Sequence, residues 1–156
     1  QIFDVSDPAN PTLAHKERIG TRGSSSEALA NHLAFNYYPE KNLLALPMTI
    51  CENSGGGGSY GTMTFSGLMV YDVTAASGFH LRGRVSHPPA AGSGAGPNSG
   101  PNYGSDACSN WWSNASSEVK RSIFMENFVY SISDSRIKVN ALSNLDADVA
   151  TVALGQ

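Results

Sequence analysis

The sequence predicts an all-β protein built from repeated antiparallel units, and two observations carry that prediction. The first is a pattern that returns at a fixed interval. Ile2-Phe3-Asp4-Val5-Ser6 reappears as Val70-Tyr71-Asp72-Val73-Thr74 and, in worn form, as Lys138-Val139-Asn140-Ala141. Asp4, Asp72 and Asn140 are separated by 68 residues in both intervals. Self-similarity at a fixed period marks one supersecondary unit that cannot bury its own faces and stacks on its copies. The second observation is the kind of periodicity. Apolar and polar residues alternate in short runs, and helical spacing is confined to one turn over residues 27–32.

Taken in order, residues 1–6 read as a strand, 7–11 as a turn and 13–19 as the partner strand. Pro8 and Pro11, with Asp7 and Asn10 between the strands, favour a tight reversal. The next unit is complete: strand 32–38, turn 39–42, strand 43–50, a glycine-rich excursion over 51–66, strand 67–74, turn 75–78 and strand 79–86. The last unit repeats that order after a second excursion, with strands 122–125, 128–133, 136–141 and 149–154.

Four antiparallel strands joined as a meander and repeated describe a β-propeller blade. A period of 68 residues exceeds the roughly 40–50 of an ordinary blade, and insertions account for the excess. The expected fold is therefore a β-propeller fragment of about two and a half four-stranded antiparallel blades. Residues 1–20 supply the last two strands of one blade, 21–86 a second blade with its entry loop, and 87–156 a long insert plus a third blade. All three would belong to one larger propeller. A ring hides blade faces and protects strand edges only when it closes. The remaining blades of the same protein, or a second chain, are expected to complete it. A self-standing β-sandwich with an unusual repeat is the alternative.

The chain has 156 residues, only 15% of them charged, with a net charge of −3. Nothing in that balance points to nucleic acid or to acidic membranes. No apolar run approaches the roughly 18 residues of a membrane span, so this segment is not expected to insert directly. The opening residue falls inside a strand pattern without Met or a leader, which reads as a piece of a longer protein.

Several blocks resemble a known family. Ile2-Phe3-Asp4-Val5-Ser6-Asp7-Pro8-Ala9-Asn10-Pro11 looks like the D-V-S-D-P-x-x-P signature of secreted bacterial and archaeal propeller repeats. Gly23-Ser24-Ser25-Ser26-Glu27-Ala28-Leu29-Ala30-Asn31-His32, Glu40-Lys41-Asn42-Leu43-Leu44-Ala45-Leu46-Pro47 and Ser133-Asp134-Ser135-Arg136-Ile137-Lys138 are similar to the C-terminal end of the secreted bacterial β-propeller-domain family, distantly related to WD40 repeats. The similarity spans most of the chain except the two long inserts. It implies a secreted or cell-envelope, extracytoplasmic propeller, and it implies no defined activity.

Assigning strands also assigns loop sides. Connections within 39–42, 75–78, 126–127 and 144–148 are short, whereas 20–31, 51–66 and 87–119 are long and open on one face. Loops this long without their own secondary structure are uncommon and often functional or disordered. Cys51 and Cys108 both lie on that side, in neighbouring units. Loop placement favours a disulfide and an oxidising compartment over two free thiols, and a bridge would tie two long inserts together.

The densest polar group on this face is Arg22, Ser24, Ser25, Ser26, Glu27, Asn31 and His32. Ser, Glu and His together invite a nucleophile–base reading, but no Gly-x-Ser-x-Gly elbow accompanies them. The competing reading has Ser26 and Glu27 capping a helical turn while Asn31 and His32 tie down a neighbouring blade. Tyr103, Trp111 and Trp112 in the long insert are suited to stacking on sugar rings or anchoring a protein partner, or else they plug the insert's own small core. His15, His32, His80 and His87 show no metal-ligand spacing, and no calcium loop is visible, so neither metal nor cofactor is expected. The candidate binding face is thus Arg22, Ser26, Glu27, Asn31, His32, Tyr103, Trp111 and Trp112. The expected function is an extracytoplasmic binding or scaffold module for a protein or glycan ligand, and a hydrolase or lyase completed by further blades is the alternative.

Overall fold

The computed structural model describes residues 1–53, 55, 60–88, 108 and 118–155. Among these the chain forms ten strands in three antiparallel sheets. β1 (Ile2–Asp4) pairs with β2 (Thr12–His15). The middle sheet runs in the order β3 (Asn36–Tyr38), β4 (Leu43–Glu52), β5 (Thr62–Thr74) and β6 (Gly78–Ser86). The last sheet follows the same meander with β7 (Val119–Met125), β8 (Phe128–Ser133), β9 (Arg136–Ala141) and β10 (Asn144–Ala153). Two strands followed by two sets of four are the partial propeller expected from the 68-residue repeat.

Period-two alternation in β4 and β5 explains the stacking. Side chains of successive strand residues leave opposite faces of the sheet. Leu43, Ala45, Leu68 and Val70 form one core with Val85, Val119, Val129, Leu142 and Leu145, which joins the middle sheet to the last. Leu44, Met48, Ile50, Phe65, Met69, Tyr71 and Val73 form a second core, against which Ile2 and Ile19 of the first unit pack. A sheet apolar on both faces needs a neighbour on each side. Gly83 on β6 lets β10 approach closely, because a Cβ there would lie 2.9 Å from Leu145 Cδ1.

The structure differs from the sequence reading at several places: the strand expected over 13–19 stops at His15, and the one expected over 122–125 begins at Val119. β4 and β5 continue their hairpin into both ends of the segment taken as an excursion, with Ile50 opposite Phe65 and Cys51 opposite Met63. The alternation Thr62-Met63-Thr64-Phe65 carried that signal, and the glycines beside it masked it. The expected strand 32–38 opens instead as a 3₁₀ turn, His32–Ala34, because Asn31 Oδ1 accepts the Leu33 N–H and leaves only Asn36–Tyr38 extended. Residues 144–148 belong to β10, which is bulged there, rather than to a loop. Leu145 is buried in the core, and that burial holds the segment against the sheet.

Candidate functional site

Antiparallel pairing brings both ends of the β2–β3, β4–β5 and β6–β7 connections to one side of the sheets. The end of β4 organises that side. Thr21 donates both its N–H (2.7 Å) and its hydroxyl (2.8 Å) to the Cys51 carbonyl. Ser24 Oγ accepts from the Cys51 N–H at 2.9 Å, and the Gly61 N–H donates to the Arg22 carbonyl. Ser25 closes a reciprocal backbone bridge with Thr49. The entry loop of the second blade is therefore stitched to a strand end.

A disulfide joins Cys51 to Cys108, and both residues are fully buried. They pack with Met63 and, at the edge, Tyr60. The bridge closes a separation of 57 residues, worth about 4 kcal/mol on the chain-entropy model. Gly23 makes room for it. Its φ of +100° lies in the region that favours glycine, and a Cβ would sit 2.8 Å from the Cys108 carbonyl oxygen. Over this staple the Arg22 guanidinium lies 4.4 Å from the Tyr60 ring centre and donates to the Tyr60 hydroxyl at 3.2 Å.

The polar cluster resolves into caps and ties. Ser26 Oγ accepts the Ala28 N–H as the cap of the 3₁₀ turn Glu27–Leu29 and donates to the Pro47 carbonyl at 2.6 Å. Glu27 reaches across to the last sheet and pairs with Lys120 at 3.5 Å. Asn31 caps the next turn through Leu33, while His32 is exposed and makes no side-chain hydrogen bond among the described residues. Ser24, Ser26 and Glu27 thus spend their polar atoms on backbone or on a cation, and no base faces a serine hydroxyl in this group. Tyr103, Trp111 and Trp112 lie outside the described residues.

A Ser–His contact does exist elsewhere, one the sequence did not single out. His87, fully buried just after β6, places Nε2 2.7 Å from Ser131 Oγ on β8. Nδ1 is buried with no partner. Burial holds the imidazole in its neutral form and lowers its pKa to about 4, helped by the Arg136 and Lys138 charges and opposed by Asp148. Both residues are shut off from solvent, so the pair is a tie between blades. Its only sequence signal was a histidine closing a strand next to two prolines. His15 is partly exposed, with Nε2 2.9 Å from the Ala75 carbonyl. His80 is exposed.

Among the described residues no helix is long and apolar enough to cross a membrane. Residues 1–145 match the family model described as a beta propeller domain. No curated protein and no solved structure matches the chain.

Proposed function

The chain belongs to the beta propeller domain family, and from that premise we propose an extracytoplasmic binding or scaffold module that works through its loop-rich face. The observation that carries this reading is the Cys51–Cys108 bridge. Disulfides persist in oxidising compartments, and this one rigidifies the face on which the long connections emerge. A rigid ring with elaborated loops needs no catalytic group to present a ligand surface. The ligand in this reading is a protein or a glycan gripped by Trp111, Trp112 and Tyr103, with Arg22 and Tyr60 at the rim.

Further blades, from the same protein or from a second chain, complete the ring in this reading. Two free faces support it. On the first sheet Phe3 and Leu13 are exposed, and on the last sheet Ile123 is 47% and Met125 54% exposed. Apolar side chains on both outer sheets call for cover.

The test is fractionation of the native host with alkylation at lysis, followed by glycan-array and pull-down screening of the purified protein. Recovery in the envelope or medium with both cysteines bridged is expected, together with a ligand lost in Trp111→Ala and Trp112→Ala. Recovery in the cytosol with two alkylated thiols overturns the compartment. Ligand binding indifferent to both tryptophans overturns the face.

A further inference from the structure

On the side opposite the long loops, a cleft of about 380 Å³ lies in the seam between the second and third blades. It is lined by Lys41, Leu43, Arg82, Asn127, Leu142 and Ser143. We propose that this cleft binds the carboxylate of a short aliphatic acid, either free or carried on a glutamyl side chain.

The first argument is an inventory of donors and acceptors. Four acceptors along the rim are already engaged. The Glu126 carbonyl and Asn127 Oδ1 both accept from the Lys41 ammonium, the second at 2.7 Å. The Asn127 carbonyl accepts the Leu142 N–H, and the Leu142 carbonyl accepts from Arg82. The donors are in surplus. The third Lys41 N–H, the Asn127 amide N–H₂ and the Ser143 hydroxyl have no partner among the described residues. A cleft with more free donors than acceptors favours a ligand that accepts.

The second argument is charge. Arg82 is neutralised by Asp72, which it meets in a two-pronged contact with a closest approach of 2.6 Å. Lys41 makes no ion pair among the described residues, although Glu40 and Glu126 are its neighbours, so a bound carboxylate would give its ammonium a direct anionic partner. One charge matches a carboxylate better than a phosphate dianion. The third argument is the floor. Leu43 and Leu142 close the cleft beneath the polar rim, and its volume is within the size range of small-molecule sites.

The site is also preformed. Lys41 comes from the β3–β4 turn and Asn127 from the β7–β8 turn, and Arg82 spans from β6 to the β9–β10 turn. A ligand here therefore bridges two blades without reorganising either.

The experiment is titration of the intact protein, followed by calorimetry and by NMR of the Asn127 side-chain amide. The probes are butyrate, N-acetylglutamate amide, the neutral isostere butyramide, and inorganic phosphate. Saturable binding of butyrate or the glutamyl probe is expected, at least about tenfold tighter than butyramide, and the tighter of the two acids names the source. Lys41→Met is expected to weaken binding at least about tenfold and Lys41→Arg by no more than about threefold. Asn127→Asp keeps the lysine but supplies an internal carboxylate, so it is expected to abolish binding with no loss in Tm. Equal binding of butyrate and butyramide overturns the proposal. So does phosphate binding tighter than either acid, or full affinity in both Lys41→Met and Asn127→Asp.

Discussion

His87 Nε2 and Ser131 Oγ meet at 2.7 Å and link the end of the middle sheet to the centre of the last one. Both side chains are fully buried, and the imidazole Nδ1 has no partner. The tautomer with hydrogen on Nε2 leaves that orphan a lone pair instead of an N–H, which is the cheaper of the two to bury.

Acid should loosen this seam. The folded His87 pKa, about 4, lies below the ordinary 6.5, so the unfolded chain binds more protons between those values. Its contribution is complete above pH 6.5, declines as pH falls, and reaches its floor below about pH 4. The expected loss is about 3 kcal/mol. Denaturant unfolding at pH 7.5, 5.5 and 4 checks it, with His87→Gln expected to be less stable at pH 7.5 but flatter over that window. An unchanged pH slope in the variant refutes the assignment.

The third copy of the repeat has Asn140 where the others have Asp4 and Asp72, and the structure gives the reason. Asn140 Nδ2 lies 3.0 Å from each of three acceptors: the Leu145 carbonyl, the Ala147 carbonyl and Asp148 Oδ1. Converging oxygens require a donor, and the clamp holds the bulged start of β10. Asn140→Asp should cost about 3 kcal/mol or more, since it buries a carboxylate against oxygens. Asp72→Asn, at the half-exposed equivalent position, should cost under about 1 kcal/mol. Urea midpoints of the two variants decide it, and comparable losses would contradict the clamp.

Gly23→Ala should destabilise by about 2 kcal/mol, from backbone strain and the clash at Cys108. Reduction of the disulfide should cost about 4 kcal/mol. Because Gly23 yields to the bridge, the two effects should be strongly non-additive: in a Cys108→Ser background, Gly23→Ala should retain only its backbone share. Thermal unfolding of the four species measures the coupling, and strict additivity would show that the glycine does not serve the bridge.

Tyr71 governs the alkaline limit. Burial, followed by the Glu17 charge and offset by Arg84, pushes its pKa up to about 12. The unfolded phenol ionises near 10, so stability falls as pH rises from about 10 to 12, by about 3 kcal/mol in total. The hydroxyl's contact is Met69 Sδ at 3.9 Å, a weak acceptor. Tyr71→Phe should therefore be within about 1 kcal/mol of wild type at pH 7 and should lack the alkaline slope. A variant that still loses stability over that range would place the titrating group elsewhere.

Much of the architecture was legible because strand burial is written locally. Leu43, Ala45, Leu68 and Val70 alternate with Leu44, Met69 and Tyr71, and that alternation carries both cores. The polar residues were less legible. Ser26 and Glu27 carry the same letters whether they cap a turn or flank a nucleophile, and only distances to Ala28, Pro47 and Lys120 separate the two. Lys41, Asn127 and Arg82 gave no sequence signal at all, because they come from three connections or strands separated by 40 residues or more.

By itself, the sequence determined the repeated β unit, its order of strands and the side on which its connections lengthen. Those follow from side-chain alternation and turn chemistry, which depend on neighbours a few residues away. The Cys51–Cys108 bridge was legible too, but tertiary structure alone decided that Gly23 makes room for Cys108, that His87 is buried against Ser131, and that a donor-rich cleft opens between Lys41 and Arg82. Each of these joins residues 40 or more positions apart, and their partners are set by how the sheets stack on one another.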